Sequence, residues 1–157
     1  MIFYYLDASA WVKRYYQEAG TDWVRDLFAR HETIACSSLG LVEVMATSSR
    51  KRKTTEISDS QFKQKAQEIE DDWERFVKIH ITTETINDAK ELTKRHALRG
   101  ADAIHLSSAL ILKKRLREKE EKLIVVASDN ELKEAAKLSG LEVIDPAEKE
   151  PSAENEI

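Results

Sequence analysis

The chain has 157 residues, 41% of them hydrophobic and 34% charged. That is one globular domain with a real core, and it excludes a disordered or fibrous chain. A net charge of −4 argues against nucleic-acid binding by bulk charge alone, but not against a nuclease whose acidic pocket is neutralised by metal.

A single cysteine, Cys36, leaves no disulfide framework and no zinc-type spacing. It lies in an apolar run and reads as a small buried hydrophobe. Met1 is followed at once by apolar residues, with no basic leader pattern. No apolar stretch is long enough to span a bilayer. The expected setting is cytoplasmic, with no membrane partner.

In chain order, apolar residues 2–6 predict a first strand, and residues 9–18 and 22–31 predict two helices. A second strand is expected at 33–37, then helices at 39–52 and 58–77. Ser58 and Gln61 have the spacing of a capping box at the start of the latter. A third strand is expected at 77–81, helices at 83–97 and 101–119, and a fourth strand at 123–127. A helix over 130–138 stops at Gly140, and a last strand over 141–144 ends at Asp145-Pro146. This alternation predicts an α/β fold: three layers, α/β/α, around a central, mostly parallel five-stranded sheet. Residues 1–146 form the expected domain. Residues 147–157 are acidic and without apolar period, and are expected to be a disordered tail.

Four acidic residues stand out. Asp7 follows the first strand and Asp129 the fourth. Glu43 sits in the apolar helical stretch after the second strand, and Asp102 opens a helix. Ligands of open parallel sheets bind beyond the carboxyl ends of the strands. Carboxylates gathered there would hold magnesium or manganese, metals that hydrolyse phosphodiesters. Each residue also has a purely structural reading. Asp7 is a good N-cap, Ser128 and Glu131 have capping-box spacing around Asp129, and Asp102 complements a helix dipole. Glu43, among apolar neighbours, needs a partner or a metal. Ser9 reads equally as a helix-start hydroxyl or a donor to a carboxylate or metal-bound water. His105, three residues after Asp102, reads as a satisfied structural histidine or a general base. Residues 50–53 are all basic and read as a helix end or a phosphate contact. Trp11, Trp23 and Trp73 read as packing residues rather than base-stacking ones.

Taken together, the residues resemble PIN-domain ribonucleases, in particular the VapC-type toxins of toxin–antitoxin pairs. The resemblance rests on Tyr5-Leu-Asp-Ala-Ser-Ala-Trp-Val-Lys13, Leu41-Val-Glu-Val-Met-Ala46, Arg99-Gly-Ala-Asp-Ala-Ile-His-Leu-Ser-Ser-Ala109 and Val126-Ala-Ser-Asp129. It extends from Phe3 to Pro146. It implies an acidic quartet of Asp7, Glu43, Asp102 and Asp129 with Ser9 beside it. It also implies magnesium- or manganese-dependent RNA cleavage, a homodimer and a cognate antitoxin. A dimer would use large side chains of the 22–31 and 58–77 helices, among them Trp23, Phe28, Phe62, Trp73 and Phe76. Lys13, Arg14 and residues 50–53 are candidate phosphate contacts. The rival expectations are a receiver-like regulatory domain, a catalytically inert binding module and a PIN nuclease of RNA processing.

Overall fold

The computed structural model describes residues 1–149. Five strands form one sheet: β1 (Ile2–Leu6), β2 (Thr33–Ser37), β3 (Val77–Ile79), β4 (Lys122–Val126) and β5 (Glu142–Ile144). Their spatial order is β3-β2-β1-β4-β5 and every pairing is parallel. The seven α-helices among the described residues are α1 (Ala8–Trp11), α2 (Thr21–Ala29), α3 (Ser38–Lys53), α4 (Asp59–Arg75), α5 (Thr83–His96), α6 (Gly100–Arg117) and α7 (Asn130–Leu138). The three-layer fold expected from the alternation is the fold observed.

The pleat sends alternate residues of each strand to opposite faces, and two cores result. Tyr5, Ala35, Leu123 and Val125 pack against α5, α6 and α7. Tyr4, Leu6, Ile34, Cys36, Ile124 and Val126 pack against α1 to α4. With both faces covered, the strands read as continuous apolar runs. β1 lies at the centre, so its carboxyl end meets the ends of both β2 and β4.

Two local expectations are corrected. The predicted 9–18 helix is only α1 followed by a 3-10 turn over Val12–Arg14. Tyr15 explains the tightening: its hydroxyl accepts from Trp11 Nε1 at 2.7 Å and donates to Asp72 of α4 at 2.5 Å. Thr21 then ties down the following loop through Tyr16 O and Glu18 N. The third strand ends at Ile79, not 81. A capping box between Thr82 and Thr85 starts α5 at the expected Thr83, and the Thr85 hydroxyl donates to the His80 carbonyl, which turns the chain away from the sheet.

The aromatics expected at a dimer surface differ in burial. Trp73 and Phe76 are buried in the core around Trp11, and Trp23 and Phe28 pack against that core. Phe62 lies under the Arg52 guanidinium, 3.9 Å from ring centroid to Cζ. Trp73 and Phe76 thus fasten α4 to the sheet, while Trp23, Phe28 and Phe62 keep part of their surface exposed.

The described chain continues through a 3-10 turn over Pro146–Glu148, two residues into the expected tail. The rest of that tail, from residue 150, lies outside the described residues.

Candidate functional site

All five residues singled out from the sequence lie at or just beyond the carboxyl edge of the sheet. Asp7 directly follows β1. Its amide continues the ladder to Val126 O at 3.3 Å, and its carboxylate caps α1 by accepting from the Ala10 amide at 2.9 Å. The Ser9 hydroxyl lies 2.8 Å from both Asp7 oxygens. Ser9 also accepts from the Ser128 amide at 3.4 Å, which ties the end of β1 to the end of β4. The N-cap and the acidic-site readings of Asp7 are thus both realised in one side chain.

Asp129 caps α7 through the Leu132 amide at 2.9 Å. The capping box expected from Ser128 and Glu131 does not form. Ser128 instead donates to Asp145 at 2.9 Å, which shifts the cap by one residue. Asp102 occupies the first turn of α6, whose N-cap Arg99 supplies no side-chain bond. Glu43 is half-buried on α3 and its Oε1 lies 2.6 Å from His105 Nε2. The other ring nitrogen, Nδ1, lies 2.8 Å from the Tyr5 hydroxyl. His105 is 2% exposed and fully partnered, as its structural reading required.

Electrostatic influence links several of these positions. Asp7 is 4% exposed, and burial pushes its pKa up to about 6, with Asp102 adding to the rise and the Ser9 and Ala10 bonds opposing it. Burial also raises Asp102, and Asp129 and Glu43 push it in the same direction. Buried Cys36 keeps its proton: desolvation raises its pKa, as do the charges of Asp7 and Glu43. Carboxylates that raise one another's pKa share a field of like charge.

The donor set is oxygen-rich and acidic, the chemistry a hard divalent cation prefers. Among the described residues, however, no three His, Cys, Asp or Glu side chains close into a group that could hold a metal ion as they stand. The fit therefore rests on the donor chemistry and the shared field.

Beside Ser9 and Glu43 runs a groove of about 320 Å³ whose far end is lined by Thr47 and Arg50 of α3. Glu43, Thr47 and Arg50 are spaced i, i+4 and i+7, so they share one helix face. Most of the other expected phosphate contacts are already engaged, Lys53 excepted. Lys13 is buried and paired with Glu18 at 3.0 Å. Arg14 forks onto Asp72 at 2.7 and 3.2 Å. Lys51 pairs with Glu56, and Arg52 lies over Phe62.

Sequence reasoning missed Tyr5 and Gly40. A tyrosine in a buried strand needs a partner for its hydroxyl, and that signal was legible. Gly40 lies against Cys36, a contact with no sequence signature.

A parallel sheet whose carboxyl edge gathers carboxylates from β1, α3, α6 and α7 defines an acidic α/β/α domain. The sequence matches the PIN domain over residues 4–138, and the chain belongs to that family. It is 31% identical over 147 residues to Ribonuclease VapC45 and to Ribonuclease VapC49, from two strains of Mycobacterium tuberculosis. Each alignment covers 94% of this chain and 97% of the relative. In fold it is similar to a chain of a toxin–antitoxin complex from Klebsiella pneumoniae, with a TM-score of 0.61 and 18% identity, covering 90% of this chain and 96% of that one.

Proposed function

We propose that this chain is a divalent-metal-dependent ribonuclease and the toxin of a toxin–antitoxin pair. The observation that carries the reading is the coupled acidic edge, in which buried Asp7 is driven up to about 6 and Asp102 is raised by burial, Asp129 and Glu43. Burying carboxylates beside one another costs stability, and a functional site is where proteins accept that cost. The two relatives named as VapC ribonucleases support the activity.

Asp7, Asp102 and Asp129 would hold magnesium or manganese, and Glu43 would do so directly or through water. The cation supplies charge neutralisation at the phosphate and acidifies a bound water. Ser9 fixes the Asp7 carboxylate for that task. Arg50, at the far end of the groove, would take a flanking phosphate. The cytoplasm is the expected compartment, and among the described residues no helix is long and apolar enough to cross a membrane. The reading includes a homodimer and an antitoxin partner. Residues 1–146 are the catalytic unit and 147–157 an appended tail. Membership of the PIN family replaces the receiver-like alternative, which leaves an inert binding module and an RNA-processing nuclease as rivals.

The test is single-turnover cleavage of a structured RNA with manganese. Asp7→Ala, Glu43→Ala, Asp102→Ala and Asp129→Ala should each slow cleavage by orders of magnitude and leave RNA binding nearly intact. Cleavage unaffected by these changes would remove the active site. A cleaving protein without effect on cell growth when expressed alone would favour RNA processing over the toxin role.

A further inference from the structure

We propose that His105 is a positioning residue. It holds the Glu43 carboxylate at the mouth of the site, and Tyr5 anchors the ring through its other nitrogen. The inference deepens the nuclease reading and rests on it for its functional meaning.

The hydrogen-bond pattern places a proton on His105 Nε2 and, in the neutral ring, the acceptor role on Nδ1. A carboxylate only accepts, so the 2.6 Å contact from Glu43 Oε1 requires a proton on His105 Nε2. In a neutral imidazole Nδ1 is then an acceptor, and the Tyr5 hydroxyl at 2.8 Å must donate to it. The Ser37 amide donates to that same hydroxyl oxygen at 3.3 Å, which leaves the hydroxyl proton free to point at the ring. Tyr5 and His105 are both almost completely buried, so the contact between them is closed to bulk water.

The elements involved explain what this arrangement achieves. Tyr5 belongs to central strand β1, two residues before Asp7. His105 lies on α6, one turn after Asp102. Glu43 comes from α3, which packs on the other face of the sheet. The His105 ring therefore links the side chain of α3 to the two elements that carry Asp7 and Asp102. Glu43 is partly exposed and has three rotatable bonds, so it would otherwise wander. With Oε1 held, Oε2 has no bond among the described residues and is presented in a fixed direction. Carboxylates meant to meet a cation or its water are commonly held from behind in this way, and the ordering is complete before any ligand arrives.

The test compares the unmodified protein with Tyr5→Phe, His105→Ala and His105→Gln. Tyr5→Phe removes one oxygen and keeps the core packing. In the metal-free protein, nitrogen NMR should show His105 with a protonated Nε2 and a bare Nδ1. In Tyr5→Phe the Nδ1 signal should shift as that nitrogen loses its hydrogen bond, while Nε2 stays protonated. Calorimetry with manganese alone should show affinity weakened about 10-fold or more in His105→Ala, less in Tyr5→Phe, and partly restored in His105→Gln, whose amide can still donate to Glu43. With RNA, turnover should fall while KM stays near its original value. A proton on Nδ1 in the unmodified metal-free protein would overturn the proposal, as would full manganese affinity in His105→Ala. Failure of the unmodified protein to cleave RNA would instead defeat the nuclease reading, and the NMR result would still decide the ring's role.

Discussion

A Cβ placed on Gly40 would stand 2.3 Å from the Sγ of Cys36. The first turn of α3 thus crosses the end of β2 with no room for a methyl group. The same added carbon would meet His105 Cε1 at 3.5 Å. Gly40 is what allows α3 to lie deep enough for Glu43, three residues on, to reach the His105 ring. Gly40→Ala should therefore lift α3 and cost about 1–3 kcal/mol by overpacking. Cys36→Ala in the same chain should recover part of that loss, because the clashing sulfur is gone. Thermal unfolding of both single variants and the double variant measures the coupling. Strictly additive effects would show that the two residues do not press on each other.

The raised pKa of Asp7 makes a second prediction. Its folded value of about 6 exceeds the ordinary 3.8. The stabilising contribution is therefore complete below about pH 4 and is lost as pH rises through about 6. The full effect is at most about 3 kcal/mol at neutral pH. Asp7→Asn keeps an N-cap side chain and has no charge to bury. In a chelator at pH 7.5 it should melt higher than the unmodified protein, and the advantage should vanish near pH 4. Added magnesium should narrow or reverse the order, because only the carboxylate gains from binding in the native state. A chelator-independent difference across that pH range would refute this account.

Lys133 and Asp145 form a buried pair at 2.6 Å. Asp145 also accepts from Ser128 and the Ala147 amide. Burial opposes its ionisation, but Lys133 and these donors win and hold its pKa below the usual value. Lys133→Met should strand a buried carboxylate and cost about 3–5 kcal/mol. Lys133→Met with Asp145→Asn should cost clearly less. With its lowered pKa, Asp145 contributes stability above the ordinary carboxylate range that fades as pH falls below about 4. Denaturant titration of the two variants at pH 7 checks the order.

The basic residues divide by what they already touch. Arg50 faces the groove beside Ser9 and Glu43, with only a long 3.4 Å contact to Thr47. Arg14 is spent on Asp72 and on the face of Phe28. Arg50→Ala should weaken RNA binding and reduce the salt slope by about one unit or less, with unchanged thermal stability. Arg14→Ala should lower the melting temperature and leave the salt slope alone. Filter binding across salt concentrations separates them. Identical slopes in Arg50→Ala and the unmodified protein would move the RNA path elsewhere.

What was legible in the sequence follows from how local each signal is. Strand and helix periodicity gave the layers, because apolar runs and capping residues act within one element. The acidic residues were found because Asp7 and Asp129 follow strands directly. The choice of cap at α7 was misplaced by one residue, because Ser128 is drawn to Asp145, sixteen residues beyond Asp129. The predicted helix over 9–18 broke for a similar reason: Tyr15 answers to Asp72, a residue of α4. Of the aromatics near α2 and α4, Trp73 and Phe76 prove to pack around Trp11. Contacts that join distant elements have no signature in a single stretch of chain.

The central ladder also has a consequence for the order of synthesis. β1 is made first, yet Leu6 finds its β4 partner only at Val126, and Ser9 meets the Ser128 amide across 119 positions. Closing so long a loop is slow relative to local folding. A chain still emerging from the ribosome can form α1 and Asp7, but it has no Asp129 until nearly the whole domain has been translated. The acidic edge is therefore assembled only after β4 and the start of α7 are present.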